Sequence, residues 1–324
     1  MLKKSEMKNF LLIVRLAGLI PALNEARIHF VKTIYNRLGI REILMYYLNA
    51  GRGTFTNALY KSMYSNILER KIGEGIDIMS EDWDNLIILD AYRSDYFKKY
   101  SQLEGKFTEV VSKGDHSHEF VKQNFRQEFW DTVIVTANVW YQKSPFTNQN
   151  TFFKMINPVS SERFEHRLIT EAAIIENQKH PDKRLIVHYM SPHTPFEGAL
   201  ADDLQKPPWP GGIYQMFRCG VINKETLRES YRETINIIEQ KVEKLLPHLK
   251  GKTIITSDHG ENLGERQHGL KLISHGNPSE ECRMVPWLVI ECNERKVVQA
   301  DKPIQNKVLT DYELNKRLKY LGYA

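Results

Sequence analysis

The stretch TIITSDHGENLGER, residues 253–266, decides how this chain is read. Four strand-favouring residues run directly into Ser257-Asp258-His259-Gly260, and a cluster of acids follows. Three more runs share that form. LIIL (86–89) ends at Asp90, TVIV (132–135) at Thr136-Ala137-Asn138, and LIVHYM (185–190) at Ser191-Pro192-His193. A later run, VPWLVIE (285–291), predicts a fifth strand. Each run is too short for a helix and apolar at consecutive positions, which suits strands covered on both faces. Helical patterns lie between them. One is SERFEHRLITEAAIIENQK (160–179), with Ser160 or Ser161 as N-cap; another is KETLRESYRETINIIEQKVEKLL (224–246), stopped by Pro247. Alternating strands and helices predict an α/β fold with a doubly wound, mostly parallel sheet flanked by helices.

The 324 residues suffice for one large α/β domain with an appendage. Apolar content of 41% and charged content of 26% are ordinary for a globular chain. Residues 1–75 read as a helical N-terminal arm: IHFVKTIYNRL and IREILMYYLNA carry helical periodicity, and Gly51-Arg52-Gly53 breaks it. Residues 76–324 form the α/β domain. The apolar segment FLLIVRLAGLIPAL (10–23) is interrupted by Arg15, ends near Pro21 and falls short of the roughly 20 residues a membrane span needs. It reads as a core or interfacial helix. The net charge of +5 gathers at this front end, which suits peripheral membrane contact, a homodimer interface or a solvated helical face. No basic–aromatic motif points to nucleic acid. Three cysteines, Cys219, Cys282 and Cys292, form no C-x-x-C pair, so neither a disulfide framework nor a thiolate metal site is expected; a reducing, cytoplasmic setting is.

In open parallel sheets, sites form beyond the carboxyl ends of the strands. Asp90, His193, Asp258 and His259 all sit at such ends, and seven of the eleven histidines lie in or beside them. Taken singly, each has a duller reading as turn former, cap or loop residue. Jointly they predict one shared site, with the Gly260 turn bringing Asp258 and His259 toward the same ion. In SKGDHSHEF (112–120) an amphipathic run begins near Ser117, which places a hydroxyl at a helix N-terminus. That hydroxyl is an N-cap or, beside a metal, a nucleophile. Arg93 and Asp95 follow the first strand; they read as a salt bridge or helix-start pair, or Arg93 reaches a substrate anion. Trp83 and Trp287 suit the core, whereas Trp140-Tyr141 and Trp209 lie in polar stretches where they could stack on a sugar.

These pieces resemble the alkaline phosphatase–sulfatase superfamily, its sulfatase-like branch in particular. The resemblance rests on DWDNLIILDAYRSDYF (82–97), SKGDHSHEF (112–120), DTVIVTAN (131–138), LIVHYMSPHTPF (185–196), GKTIITSDHGENLGE (251–265) and SHGNPSEECRMVPWLVI (274–290), in the family's order. It implies a metal site of Asp90, Ser117, Asp258 and His259, with Ser117 as nucleophile. It also implies His193 and His275 on substrate oxygens or the leaving group, with His268 as a competitor for the role of His275. The C/S-x-P-x-R motif of formylglycine sulfatases is missing, because His118-Glu119-Phe120 follows Ser117. Asp90 is followed by Ala91 rather than a second acid, and no complete second zinc motif is seen, so a single-metal site is expected.

Two carboxylates, one imidazole and one hydroxyl make a mixed O/N ligand set. It suits Mn²⁺ or Zn²⁺, accommodates Mg²⁺, and suits Ca²⁺ least. The expected activity is metal-dependent hydrolysis or transfer at a phosphate or sulfate ester, with a small-molecule, glycan or lipid head-group substrate. A sugar phosphomutase is an alternative, but the interval 197–223 is short for its cap. A non-catalytic relative is another, which the joint retention of Asp90, Ser117, Asp258 and His259 argues against.

Overall fold

The structure, a computed structural model, describes residues 67–143, 147–148, 150–158, 166–204, 212–218, 220–267 and 270–304. The helical reading of the N-terminal arm and its membrane or dimer contacts fall almost wholly outside them, as do Ser160, Ser161, Trp209 and His268; residues 67–72 are helical. Among the described residues no helix is long and apolar enough to cross a membrane.

In chain order the elements are β1 (Asn85–Leu89), α1 (Ser94–Tyr100), β2 (Lys106–Val111), α2 (Ser117–Asn124), β3 (Phe129–Thr136), α3 (Trp140–Lys143), β4 (Phe152–Ile156), α4 (His166–Lys179), β5 (Arg184–Tyr189), α5 (Ala199–Leu204), α6 (Gly212–Arg218), α7 (Lys224–Leu245), β6 (Thr253–Thr256), β7 (Asn262–Gln267), β8 (Leu270–Ser274), α8 (Glu280–Arg283) and β9 (Met284–Ile290). Seven strands form one sheet in the order β2-β9-β6-β1-β5-β3-β4, and β7-β8 is a separate hairpin. All five apolar runs are strands. β1 pairs in parallel with β5 and β6, and β3 with β4 and β5. Only β9 runs antiparallel, to β6 and β2. The chain reaches β9 from the rim where β6 ends, through β7, β8 and α8, so it must re-enter the sheet from that end.

Burial shows why the runs are continuously apolar. Leu86 and Ile88 of β1, Ile186 of β5 and Ile254 of β6 pack on one face with Phe120, Val121 and Tyr141 from α2 and α3. Ile87 and Leu89 pack on the other with Ile169 and Ala173 of α4 and Leu227, Tyr231, Ile235 and Ile238 of α7. Alternate residues of one strand thus feed two cores, as a sheet covered on both sides requires. Tyr141, expected as a sugar-stacking candidate, is fully buried in the first core. α7 begins where Asn223 accepts a hydrogen bond from the Thr226 amide, and Pro247 sits in the single 3₁₀ turn, Leu246–His248, that ends it.

Gly251 fixes the entry into β6. Its φ is +92°, and a Cβ there would lie 2.2 Å from a carboxylate oxygen of buried Asp84, which accepts from the Lys252 amide at 2.7 Å. Gly251→Ala is therefore expected to lower unfolding free energy by about 1–3 kcal/mol, from the left-handed backbone and the displaced carboxylate. Denaturant titration measures this; an unchanged midpoint would show that Asp84 gives way freely.

Candidate metal and reaction centre

The sheet brings Asp90, Ser117, Asp258 and His259 together. Asp90 is the first residue past β1, and its amide donates to the Tyr189 carbonyl at 3.0 Å, so it sits level with the end of β5. Ala91 follows at φ +64°, an unfavourable backbone for a residue with a Cβ. Three contacts hold it: the Ala91 amide donates to Asp258 Oδ1 at 3.2 Å, Tyr231 Oη donates to the Ala91 carbonyl at 2.6 Å, and the Tyr92 amide donates to Ser257 Oγ at 2.9 Å. The other described non-glycine residue with positive φ is Ser274, directly before His275. Strained backbone therefore flanks two of the predicted site residues.

Ser117 is the first residue of α2 and is fully buried. Its Oγ lies 2.7 Å from Asp258 Oδ2, 3.1 Å from Asp90 Oδ2 and 3.4 Å from His259 Nε2. A hydroxyl has one hydrogen, so it satisfies one of these acceptors at a time. His259 Nε2 is 3.4 Å from Asp90 Oδ1 and 3.5 Å from Asp258 Oδ2. On the far side of that ring, Nδ1 lies 2.8 Å from the Gly260 carbonyl, an acceptor only, so Nδ1 carries the hydrogen and Nε2 turns a lone pair inward. Gly260 is obligatory here for space: a Cβ would stand 1.9 Å from the Glu281 carbonyl oxygen.

The centre holds more negative charge than its neighbours balance. Asp90 and Asp258 are both fully buried. Among the described residues neither pairs with a lysine or arginine; their ionic neighbours are His259 and, 3.7 Å from Asp258, His188. Burial holds His188 down to about 4, hence neutral. Burial, and then the charge of Asp258, drive the Asp90 carboxyl well above its ordinary range. Asp90 Oδ1 has no hydrogen-bond donor. Acceptor atoms of Asp90, Asp258 and His259, all within 4.8 Å of one another, form the ligand set a divalent cation takes, and the orphaned Asp90 oxygen fits the same occupant.

His193 and His275 form a contiguous second group with Glu261. Ring centroids are 4.6 Å apart for His259–His275 and 4.9 Å for His193–His275. His275 Nδ1 is 3.5 Å from Glu261 Oε2, and ligand atoms of His193, Glu261 and His275 again lie within 4.8 Å of one another. Burial lowers the His275 imidazole, but Glu261 more than offsets it and the net shift is upward. His193 Nδ1 meets the Thr194 carbonyl at 2.6 Å, and burial followed by the charge of His275 takes it down to about 3. Its Nε2 is therefore an acceptor in this state.

Glu261 escaped the sequence reading. Its only signal was membership of the acid cluster after Gly260, which does not separate it from Glu265. Asn138, whose amide nitrogen stands 3.5 Å from Asp90 Oδ2, and His188, bonded through Nδ1 to Tyr141 Oη at 3.0 Å, were visible as strand-end residues without a role. Arg93 is 3% exposed and bonded to Asp95 at 2.8 Å, to Glu265 at 2.7 Å and to the Glu261 carbonyl at 3.2 Å, the ion pairing that one of its two sequence readings expects. Asp115, His116 and Glu119 also cluster, but they serve the start of α2: Asp115 pairs with His116, and Glu119 accepts from the Asp115 amide.

A family model described as Sulfatase matches residues 89–309, more than half of the chain. The chain belongs to the sulfatase family, and so to the superfamily its sequence pieces resemble. No curated protein matches it in sequence. Among solved structures it is similar to a 2-O GAG sulfatase, with 14% identity, 74% of this chain and 70% of that one covered, and a TM-score of 0.45. It is also similar to the soluble domain of lipooligosaccharide phosphoethanolamine transferase A from Neisseria meningitidis (13% identity; 63% and 75% covered; TM-score 0.38). A third is the C-terminal periplasmic domain of EcEptC from Escherichia coli in complex with zinc (13% identity; 67% and 75% covered; TM-score 0.40).

The uncompensated carboxylates predict an inverted stability effect. Asp90→Asn removes a buried carboxyl whose charged form burial and Asp258 both disfavour, and is expected to raise the melting temperature in the presence of a chelator. It should also abolish the stabilisation that Mn²⁺ or Zn²⁺ gives the unaltered protein. Thermal unfolding with and without metal checks both; a variant less stable than the original in chelator would contradict the charge argument.

Proposed function

We propose that this protein is a metal-dependent hydrolase or transferase of phosphate esters, with Ser117 as nucleophile and Asp90, Asp258 and His259 as metal ligands. The observation that carries the reading is the burial of Ser117 Oγ within 3.4 Å of all three ligand residues. A serine that merely capped α2 would need none of them, and Ser117 is the first helical residue rather than the cap, a place that His116 holds. Mn²⁺ or Zn²⁺ suits the mixed ligand set best, with Mg²⁺ and Ca²⁺ as lesser fits. When bound, the ion would neutralise the two carboxylates and lower the pKa of the serine hydroxyl.

The residues themselves supply the remaining steps. Asp258 Oδ2, at 2.7 Å, takes the Ser117 proton as Oγ attacks phosphorus. The Oγ–P bond forms, the bond to the ester oxygen breaks, and that oxygen leaves as an alcohol with a proton from His275, which Glu261 holds for the purpose. The α2 amides at the N-terminus face the anionic group. His193 Nε2, an acceptor at rest, becomes a donor to a non-bridging oxygen only on taking up a proton with the substrate. Water or an acceptor hydroxyl then attacks the phospho-serine and restores Ser117. Phosphate is favoured over sulfate because Ser117 lacks the proline and arginine of the formylglycine motif. A glycan or lipid head group is the substrate class proposed. Peripheral membrane contact and a homodimer through the N-terminal arm, residues 1–75, and a cytoplasmic location, are parts of the same proposal.

Purified protein with Mn²⁺, Zn²⁺ or Mg²⁺, offered aryl phosphate monoesters, phosphodiesters and sulfates, is expected to turn over a phosphoester. Ser117→Ala and Asp258→Asn should each reduce the rate at least about a thousandfold, and quenched reactions should carry a phosphoryl adduct on the peptide containing Ser117. Full activity in Ser117→Ala would remove the nucleophile. Undiminished activity in chelator would remove the metal.

A further inference from the structure

The opposite end of the sheet carries a second place for an anion. The amino ends of β1, β5 and β6 are bordered by the chain that follows β9, and between them opens a cavity of about 530 Å³. Its wall includes Asn177, His248, Lys250, Glu294, Arg295 and Lys296. The space is of the size that takes a small organic ligand rather than a bare ion. It lies about 20 Å from the reaction centre, since the five residues of β1, six steps of backbone, carry the chain from Asp84 to Asp90.

Three cations line this cavity against one carboxylate, Glu294. Arg295 is already balanced: its guanidinium donates to Asp82 and Asp84. Lys250 and Lys296 are not, for neither has an ion pair among the described residues. Lys296 is the informative one. Its ammonium donates to Asn177 Oδ1 at 2.7 Å and to the Lys183 carbonyl at 3.0 Å, two neutral oxygens that spend two of its three hydrogens. Asn177 is buried and locked at its other end, where Nδ2 donates to the His248 carbonyl at 2.9 Å. The ammonium is therefore held in one position by a built support, yet no carboxylate pairs with it directly among the described residues; Asp84 and Asp182 attract it only from a distance, and burial outweighs them. Burial accordingly pulls Lys296 down to about 8. A structural clamp between the tail and the α4–β5 turn would need only the two neutral bonds. It would not need a charge half-withdrawn from water, nor a second free cation across a cavity.

We propose that this cavity binds a small phosphate or sulfate monoester, with Lys296 and Lys250 on the oxyanion and the remaining space taking the polar ester group. The site is independent of the reaction centre and of the activity proposed for it.

Isothermal titration of the full chain in chelator tests this, with inorganic phosphate, glucose 6-phosphate and glucose as probes. Removing metal takes away the cation that the reaction centre would offer an anion and leaves the buried Asp258 carboxylate there, so binding at that centre is suppressed. Both anions are expected to bind at one site and glucose not to bind. Lys296→Met should weaken both anions at least tenfold, the loss of one charge-assisted hydrogen bond. Lys250→Ala, at the exposed lip, should weaken them several-fold and serves if the first variant folds poorly. Binding of inorganic phosphate alone would reduce the site to one for a free oxyanion and overturn the monoester. No anion binding, or equal affinity in both variants, would overturn the site itself.

Discussion

Two carboxylates and an imidazole lone pair close on the hydroxyl of Ser117, in a pocket with no measurable exposure. One hydrogen cannot satisfy three acceptors, and burial denies them water. The surrounding structure holds this arrangement against its own repulsion. Ser257 shows how: its Oγ lies 2.6 Å from the Leu89 carbonyl and 2.5 Å from the His259 carbonyl while accepting the Tyr92 amide, so it ties the end of β1 to the end of β6. Tyr231, from α7, braces the Asp90–Ala91 turn from one face of the sheet. The start of α2 supplies Ser117 from the other. A site assembled this way costs stability when empty, and a divalent cation bound there would return it.

The sheet topology follows from the same demand. β1 and β6 are neighbours, so Asp90 and Asp258 emerge side by side at one rim. β5 flanks β1 on its other edge and brings His193 beside Asp90, whose carbonyl accepts the His193 amide at 2.9 Å. The β7–β8 hairpin then folds over this rim and returns His275 to within ring contact of His259. Four ligand-type residues scattered over some 170 positions meet because three adjacent parallel strands end together.

Much of this was legible in the residue order. The five apolar runs marked the strands because burial on both faces leaves no polar alternation to confuse them. Asp90, Asp258 and His259 were legible because polar groups directly after such runs have one place to go. The edge strands were not legible. Lys106–Val111 is largely exposed and half polar, and Phe152–Ile156 is a short strand whose pairing to β3 is irregular. The β7–β8 hairpin was hidden for another reason: NLGERQ owes its strand state to a partner strand, not to its own propensity. Glu261 and Arg93 show the limit for single charges. Both stand in charge-rich stretches, and only packing reveals that one faces the imidazoles while the other is consumed by Asp95 and Glu265. Tyr141 failed as a sugar platform because its neighbours, Phe125 and Phe152, seal it in the core.

The most direct measurement is a crystal of the protein grown with MnCl₂ and examined by anomalous diffraction. The account predicts one strong peak in contact with Asp90, Asp258, His259 and the Ser117 oxygen. A peak that avoids Ser117 and Asp90, or no peak on these residues at saturating manganese, would contradict it.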